Sequence, residues 1–349
     1  MPEVVVKKRN LHISYLKGYA ILSVMLIHLI DWSNIPVNYT ASIFKELLYP
    51  GVFFFMFTAG AVVYIAYGQT LDLAKAARKL FWRGLSLIGV YYLYSFIKLF
   101  IYNFSQEPFY DQFIQTGRLT WQNILLLKSF SVPIGILLTI GFFIALSPAL
   151  LYCSRKIKGG NILILISLAA LFLQAYVFPL SGQLVDYLMS KNNVTFPILL
   201  WSMPFLLGYL IAVAGFEKRR LLWLSISLPV TLLSGYFVYQ KTGSLFPSHY
   251  MYPLQIYYMV VSLLLMSILF YKFAWLEKST NSLVVKFLSY LRFWGDHTLS
   301  LYVYHWIVID LVLWIFFPQA RWIWLFVPIF LIIFTYFRFR MVEKKLLTK

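Results

Sequence analysis

The first long apolar segment of the chain carries three ionisable side chains at helical spacing. Lys17 and His28 are eleven residues apart, which brings them within about 20° of the same face at 100° per residue. Asp31 follows His28 by about one turn and lies near that face. A carboxylate beside a histidine fixes its tautomer and raises its basicity, as a general base requires. The spacing therefore predicts a proton-accepting His28 that is oriented by Asp31.

Each of these three residues also has a simpler explanation. Lys17 could extend its ammonium group to the lipid headgroups, and Asp31 could mark the water-facing end of the helix. His28 could be a structural histidine that is bonded to a neighbouring helix. It is the hardest of the three to explain in this way, because it lies well inside an apolar run where polar groups are expensive.

Two further groups of residues suggest a binding site. Arg78, Lys79 and Arg83 gather at the start of the third apolar segment, where paired guanidinium groups would suit the phosphates of an anionic cofactor. The alternative is that they anchor the helix at the cytosolic surface. In the ninth apolar segment, His305 lies one turn from Tyr302. This pair either lines a site or is a buried histidine bonded to a tyrosine.

Several kinds of site are not predicted. The five histidines are scattered, and there is no HExxH zinc pattern, GxSxG elbow or phosphate loop. A single cysteine, Cys153, excludes a disulfide framework and a multi-cysteine metal site. We therefore expect no metal.

The composition predicts the setting of these residues. Of the 349 residues, 61% are hydrophobic and only 12% are charged, against about 45–50% and about 25% in soluble domains. A water-soluble globule of this size cannot bury so many apolar side chains, and a disordered chain has low hydrophobicity. The sequence predicts an all-α, polytopic membrane protein.

Ten apolar segments approach the roughly 20 residues that span a bilayer as a helix. We expect a bundle of about ten transmembrane helices that forms a single domain over residues 1–349, with short cytosolic tails at about 1–12 and 340–349. The apolar stretch 122–130 is interpreted as interfacial or re-entrant. The ten segments are about 13–31, 47–67, 81–104, 132–153, 161–180, 195–215, 221–240, 251–272, 297–317 and 320–339.

The distribution of cations predicts the orientation. With both termini in the cytosol, the five outer loops contain one Lys or Arg each, and most of the 30 such residues fall on the inner side. This alternation is the positive-inside pattern of plasma membrane proteins. It accounts for most of the net charge of +18 without a nucleic acid partner. The five outer cations are Lys45, Arg118, Lys191, Lys241 and Arg321.

Three motifs together resemble those of the integral-membrane acyltransferase family three. The first is the basic residue, ten residues and histidine that run from Lys17 to His28. The second is the phenylalanine-rich segment 51–60, GVFFFMFTAG. The third is a late segment with Gly295, Thr298, Tyr302 and His305. The wider superfamily includes the lysosomal heparan-α-glucosaminide N-acetyltransferase.

The resemblance implies transfer of an acyl group, acetyl in the first instance, from cytosolic acyl-CoA. The acceptor would be a hydroxyl of an extracytoplasmic glycan or of a lipid-linked sugar. His28 would accept the proton of that hydroxyl, and Asp31 would orient His28. The residues expected to bind the CoA donor are Lys17, Arg78, Arg83, Tyr302 and His305.

Two other functions remain open at this point. One is a carrier for a small or lipid-linked solute, for which proton coupling would need a deep carboxylate; only Asp310 lies far from a helix end. The other is a membrane sensor or scaffold with a degenerate site. The oligomeric state is also open, and a homo-oligomer is possible.

Overall fold

The fold is described from a computed structural model. The residues that it describes are 10–32, 39–105, 113–115, 119–131, 134–166, 169, 196–215, 219–251 and 254–316. The predicted tenth span, 320–339, and most of the predicted fifth span lie outside the described residues.

The described chain is almost entirely α-helical. It also contains a 3₁₀ helix at Pro247–Tyr250 and a short helical stretch at 160–166. The α-helices are α1 (Leu11–Trp32), α2 (Tyr39–Leu48), α3 (Pro50–Tyr67), α4 (Leu73–Ser105), α5 (Trp121–Leu125), α6 (Gly135–Lys156), α7 (Ile198–Ala214), α8 (Arg220–Thr242), α9 (Ile256–Leu276), α10 (Ser282–Asp296) and α11 (Thr298–Phe316).

Hydropathy confirms the predicted class, an all-α polytopic membrane protein. Within the described residues, six helical segments are long and apolar enough to cross a membrane, and α7 is a shorter apolar helix. Helices are favoured here because only a helix or a closed barrel satisfies every backbone polar group inside lipid. The six segments are Leu11–His28, Ser42–Tyr67, Leu73–Asn103, Gly135–Lys156, Leu221–Thr242 and Ile256–Leu276.

One small hairpin interrupts the helical pattern. Strands β1 (Phe113–Gln115) and β2 (Ser129–Ser131) pair antiparallel, with α5 between them. The apolar stretch 122–130 is therefore a short helix followed by a strand. This segment packs on α4, where the Tyr92 hydroxyl donates to the carbonyl oxygen of Leu125 at 3.3 Å. The hydropathy pattern did not reveal the hairpin, because three-residue strands leave almost no periodic signal.

The amphipathic helix α10 lies between the predicted spans 251–272 and 297–317, where the hydropathy pattern predicts no membrane helix. The side chain of Asn281 caps its first turn by accepting a hydrogen bond from the backbone N–H of Leu283 at 2.9 Å. The helix packs against α1 so closely that a Cβ added to Gly18 would lie 2.0 Å from the carbonyl oxygen of Leu291. Helix α10 thereby fixes the half of α1 that carries Lys17.

Helices α3 and α7 meet through two reciprocal glycines. A Cβ added to Gly60 would lie 1.9 Å from the carbonyl oxygen of Phe205, and one added to Gly208 would lie 2.0 Å from that of Phe57. Small residues permit this backbone contact between membrane helices. The phenylalanine-rich segment therefore ends at a glycine that contacts the backbone of α7. This contact fixes the position of α3 against α7.

We expect Gly60→Ala to destabilise the protein, because the new methyl group meets backbone rather than a flexible side chain. Overpacking of this kind typically costs about 1–3 kcal/mol. The measurement is the thermal unfolding midpoint of the purified protein in detergent. Gly89→Ala is the matched control, since a Cβ at Gly89 meets nothing within 4 Å. Equal midpoints for the two variants would contradict the packing argument.

Candidate active site

A pair of histidines joins α1 to α11. The Nδ1 atom of His28 lies 3.0 Å from the Nε2 atom of His305. The two rings are parallel within 2°, with centroids 5.3 Å apart. His305 is fully buried, and its Nδ1 atom lies 3.2 Å from the carbonyl oxygen of Leu301. Among the described residues, the imidazole of His28 is thus hydrogen-bonded to another helix through Nδ1 alone.

The hydrogen bonds determine which nitrogens carry protons. The carbonyl oxygen of Leu301 can only accept, so Nδ1 of His305 is the donor. In neutral His305 the Nε2 atom is then the acceptor, which makes Nδ1 of His28 the donor in the bond between the two rings. Neutral His28 therefore holds its lone pair on Nε2. That nitrogen has the electronic state of a general base.

The tautomer of His28 is thus set by His305, a role that the sequence pattern assigned to Asp31. The structure describes the backbone of Asp31 but not its side chain, so the predicted contribution of its carboxylate stays a prediction. His305 touches Tyr302 through ring contact, with centroids 5.2 Å apart, and its hydrogen-bonding partner through Nε2 is His28. The sequence left open whether His305 lines a site or is bonded to the tyrosine.

An indole completes the surroundings of His28. The ring of Trp306 lies 4.3 Å from the ring of His28, tilted by 47°. Trp306 follows His305 directly in α11 and is 1% exposed. One turn of α11 therefore supplies both the hydrogen-bonding partner of His28 and a packing surface against its ring.

A buried ion pair also lies near Trp306. Lys98 of α4 and Asp310 of α11 are separated by 3.3 Å, and both side chains are almost completely buried. The hydroxyl of Tyr94 donates a short hydrogen bond to Oδ2 of Asp310. The ammonium group of Lys98 lies 5.4 Å from the ring centroids of Tyr94 and Trp306. This cluster was missed from the sequence, although two opposite charges in the middle of apolar segments were a usable signal.

A cavity of about 440 Å³ lies among α1, α3, α4, α6 and α11. At one end the guanidinium group of Arg83 donates to the hydroxyl of Tyr67 at 2.7 Å, and Lys17 contributes a second cation to the lining. Much of the wall is apolar. Its apolar lining includes Val62, Leu80, Leu87, Val90, Leu137, Ile140 and Ile144.

Tyr302 connects this cavity to the histidine pair. It lines the cavity, and its ring contacts those of Phe55 and His305, with centroids 5.7 Å and 5.2 Å away. Along α1, the eleven-residue step from Lys17 to His28 corresponds to roughly 16 Å. The cations and the histidine pair are therefore at different depths of the bundle. The cations line the cavity, and the two histidines do not.

The structure distributes the five predicted donor-binding residues unequally. Lys17, Arg83 and Tyr302 line the cavity. Arg78 is exposed on α4 and does not line the cavity. His305 does not line it either; it contacts Tyr302 and is hydrogen-bonded to His28. No cluster of three or more metal-ligating side chains occurs within the described ranges.

The family of the chain follows from a comparison with protein families. An acyltransferase family, described as "Acyltransferase domain", matches residues 10–337. The chain belongs to this family, acyltransferase family three, and is a membrane acyltransferase. No curated protein and no solved structure matches it.

We expect the rate of acyl transfer to depend on the hydrogen-bond acceptor that residue 305 offers to His28. His305→Leu removes the partner of the Nδ1 proton of His28, and we expect acyl transfer to fall roughly 10²–10⁴-fold, the range of general-base catalysis. His305→Gln keeps an acceptor oxygen near the position of Nε2 and should retain more activity. The rates are measured as label transferred from labelled acetyl-CoA in membranes that contain the natural acceptor.

Tyr304→Phe is the control, because Tyr304 is on the same helix and 38% exposed. Equal activity of His305→Leu and the wild-type protein would show that the bond between the histidines has no role in transfer.

Proposed function

We propose that this enzyme transfers an acetyl group from cytosolic acetyl-CoA to a hydroxyl of an extracytoplasmic glycan or lipid-linked sugar. The observation that carries this proposal is the lone pair assigned to Nε2 of His28. His28 does not line the cavity, but it is linked to the cavity through His305 and the lining residue Tyr302. The proposal places the protein in the plasma membrane as a single domain with both termini in the cytosol. It includes the wider kinship with heparan-α-glucosaminide N-acetyltransferase.

The donor site of this proposal is the cavity. Lys17 and Arg83 would bind the phosphates of CoA, and their side is the cytosolic one if the positive-inside pattern sets the orientation. The apolar walls suit the pantetheine arm: the lining residues of α4 run from Leu80 to Val90, a rise of about 15 Å. Arg78 would then contact the nucleotide part only from outside the cavity.

The chemistry needs one base and no metal. Nε2 of His28 accepts the proton of the acceptor hydroxyl as its oxygen attacks the carbonyl carbon of the thioester. The new C–O bond forms, the C–S bond breaks, and the proton passes from the imidazolium to the departing sulfur. The products are the acetyl ester and CoA with a free thiol. A route through acetyl-histidine would use the same nitrogen in two steps.

The buried ion pair supports an enzyme over a proton-coupled carrier. A carrier of that kind needs a deep carboxylate that gains and loses a proton. The deep candidate, Asp310, is paired with Lys98 and accepts a hydrogen bond from Tyr94.

We expect His28→Ala to abolish acyl transfer, because the proposed base is removed. The variant should still fold in membranes and bind acetyl-CoA, since Lys17 and Arg83 are unchanged. Transfer is measured with labelled acetyl-CoA, and binding by calorimetry on purified protein. His249→Ala is the control. His249 lies in the 3₁₀ helix Pro247–Tyr250, is hydrogen-bonded to Ser244, and does not line the cavity. Full activity of His28→Ala would overturn the proposal.

We expect Arg83→Ala to raise the KM for acetyl-CoA by about tenfold or more, with a smaller change in kcat. The reason is that a hydrogen bond to a charged group contributes about 1.5–3 kcal/mol, and 1.4 kcal/mol corresponds to a factor of ten. Lys79→Ala is the control, because Lys79 is an exposed cation one turn earlier on α4 and does not line the cavity. Equal KM values for the two variants would remove Arg83 from the donor site.

A further inference from the structure

We propose that Lys98, held by Asp310 and Tyr94, positions the catalytic imidazole of His28 by acting through Trp306. The inference rests on the proposed function, in which His28 is the base. Neither Lys98 nor Asp310 touches the reacting atoms in this proposal; both are positioning residues.

The first argument is the depth at which the charges are buried. Lys98 and Asp310 are 1% and 5% exposed, and each lies within an apolar helix. Removing two ions from water is expensive even when they pair, and apolar side chains of similar size often serve stability as well or better. Ionisable residues at membrane depth are therefore functional candidates by default.

The second argument is the chain of contacts that leads to His28. Lys98 lies 5.4 Å from the centroid of the Trp306 ring, and that ring lies 4.3 Å from the ring of His28. A cation near an indole face is attracted to it, and more strongly when water is excluded. Lys98 therefore restrains the indole that packs against His28.

The third argument is the placement of these groups on α11. Trp306 and Asp310 are one turn apart and lie on neighbouring positions of the same face. Asp310 fixes the ammonium group of Lys98 from one turn above the indole, while Tyr94 fixes the carboxylate from α4. Lys98 and Tyr94 are themselves one turn apart on α4. The four side chains lock the position of α4 against the turn of α11 that carries His305.

His28 is then held from two directions. His305 sets its tautomer through the 3.0 Å hydrogen bond. Trp306, restrained by Lys98, limits rotation of its ring. Precise positioning matters because a displacement of about 1 Å at a reacting group can reduce a rate by about 10²-fold.

A purely structural ion pair makes a different prediction from a positioning one. Either role predicts damage when one partner is removed, because a buried charge is left without its counterion. The double variant Lys98→Met/Asp310→Asn leaves no net charge and retains an acceptor for Tyr94. A structural pair predicts that this variant regains both stability and activity. A positioning pair predicts that it regains stability alone.

The test measures unfolding midpoint, kcat and the KM for acetyl-CoA of the double variant. We expect a midpoint close to that of the wild-type protein, a kcat reduced at least tenfold, and a KM within about twofold. A wild-type kcat would overturn the inference.

Combining the double variant with Trp306→Phe tests whether Trp306 is the intermediary. We expect the kcat of the triple variant to be little lower than that of the less active of its two parents. If the two losses in kcat multiply fully, Trp306 is excluded as the intermediary.

A gentler variant keeps the inference testable if the double variant does not fold. Tyr94→Phe removes only the hydroxyl that donates to Asp310, and we expect kcat to fall several-fold with KM unchanged. Tyr92→Phe is the matched control on the same helix, since the Tyr92 hydroxyl bonds to Leu125. Equal kcat values for Tyr94→Phe and the control would count against positioning.

The outcomes separate this inference from the proposed function. If His28→Ala retains activity, the proposed function fails, whatever Lys98 does. If His28→Ala is inactive and both Lys98→Met/Asp310→Asn and Tyr94→Phe keep the wild-type kcat, only the positioning inference fails.

Discussion

The hydrogen bond between His28 and His305 is the interaction on which the site depends. It joins two residues that are 277 positions apart in the chain. Its direction follows from a single backbone group, the carbonyl oxygen of Leu301, which forces the protons of both rings into one arrangement. The bond therefore does two things at once: it connects α1 to α11, and it leaves the lone pair of His28 on Nε2.

Two sets of buried ionisable groups in this bundle are paired, because lipid offers no alternative partner. The histidines bond to each other, and Lys98 pairs with Asp310 while Tyr94 donates to the same carboxylate. Each pair satisfies groups that would be expensive to bury alone. Trp306 lies between the two pairs and contacts a member of each. The result is a continuous set of restrained side chains inside an apolar bundle.

Backbone contacts hold the helices that carry these groups. Gly18 brings α10 onto α1, and Gly60 and Gly208 bring α3 onto α7. Gly84 brings α4 onto α6 in the same way, and the cavity lies among α1, α3, α4, α6 and α11. The cavity combines apolar walls with two cations, Lys17 and Arg83, and its lining residue Tyr302 contacts the ring of His305.

Local pattern alone determined the class of protein, most of its helices and the alignment of Lys17 with His28. The physical reason is that a membrane helix satisfies its own backbone, so hydropathy and 3.6-residue periodicity are properties of each segment. The amphipathic α10 and the β1–β2 hairpin escaped this reasoning because neither is long or apolar enough to register as a span. Only the tertiary structure decided that His28 bonds to His305 and that Lys98 meets Asp310. Those partners lie on distant segments, and the packing of the helices, which no single segment encodes, brings them together.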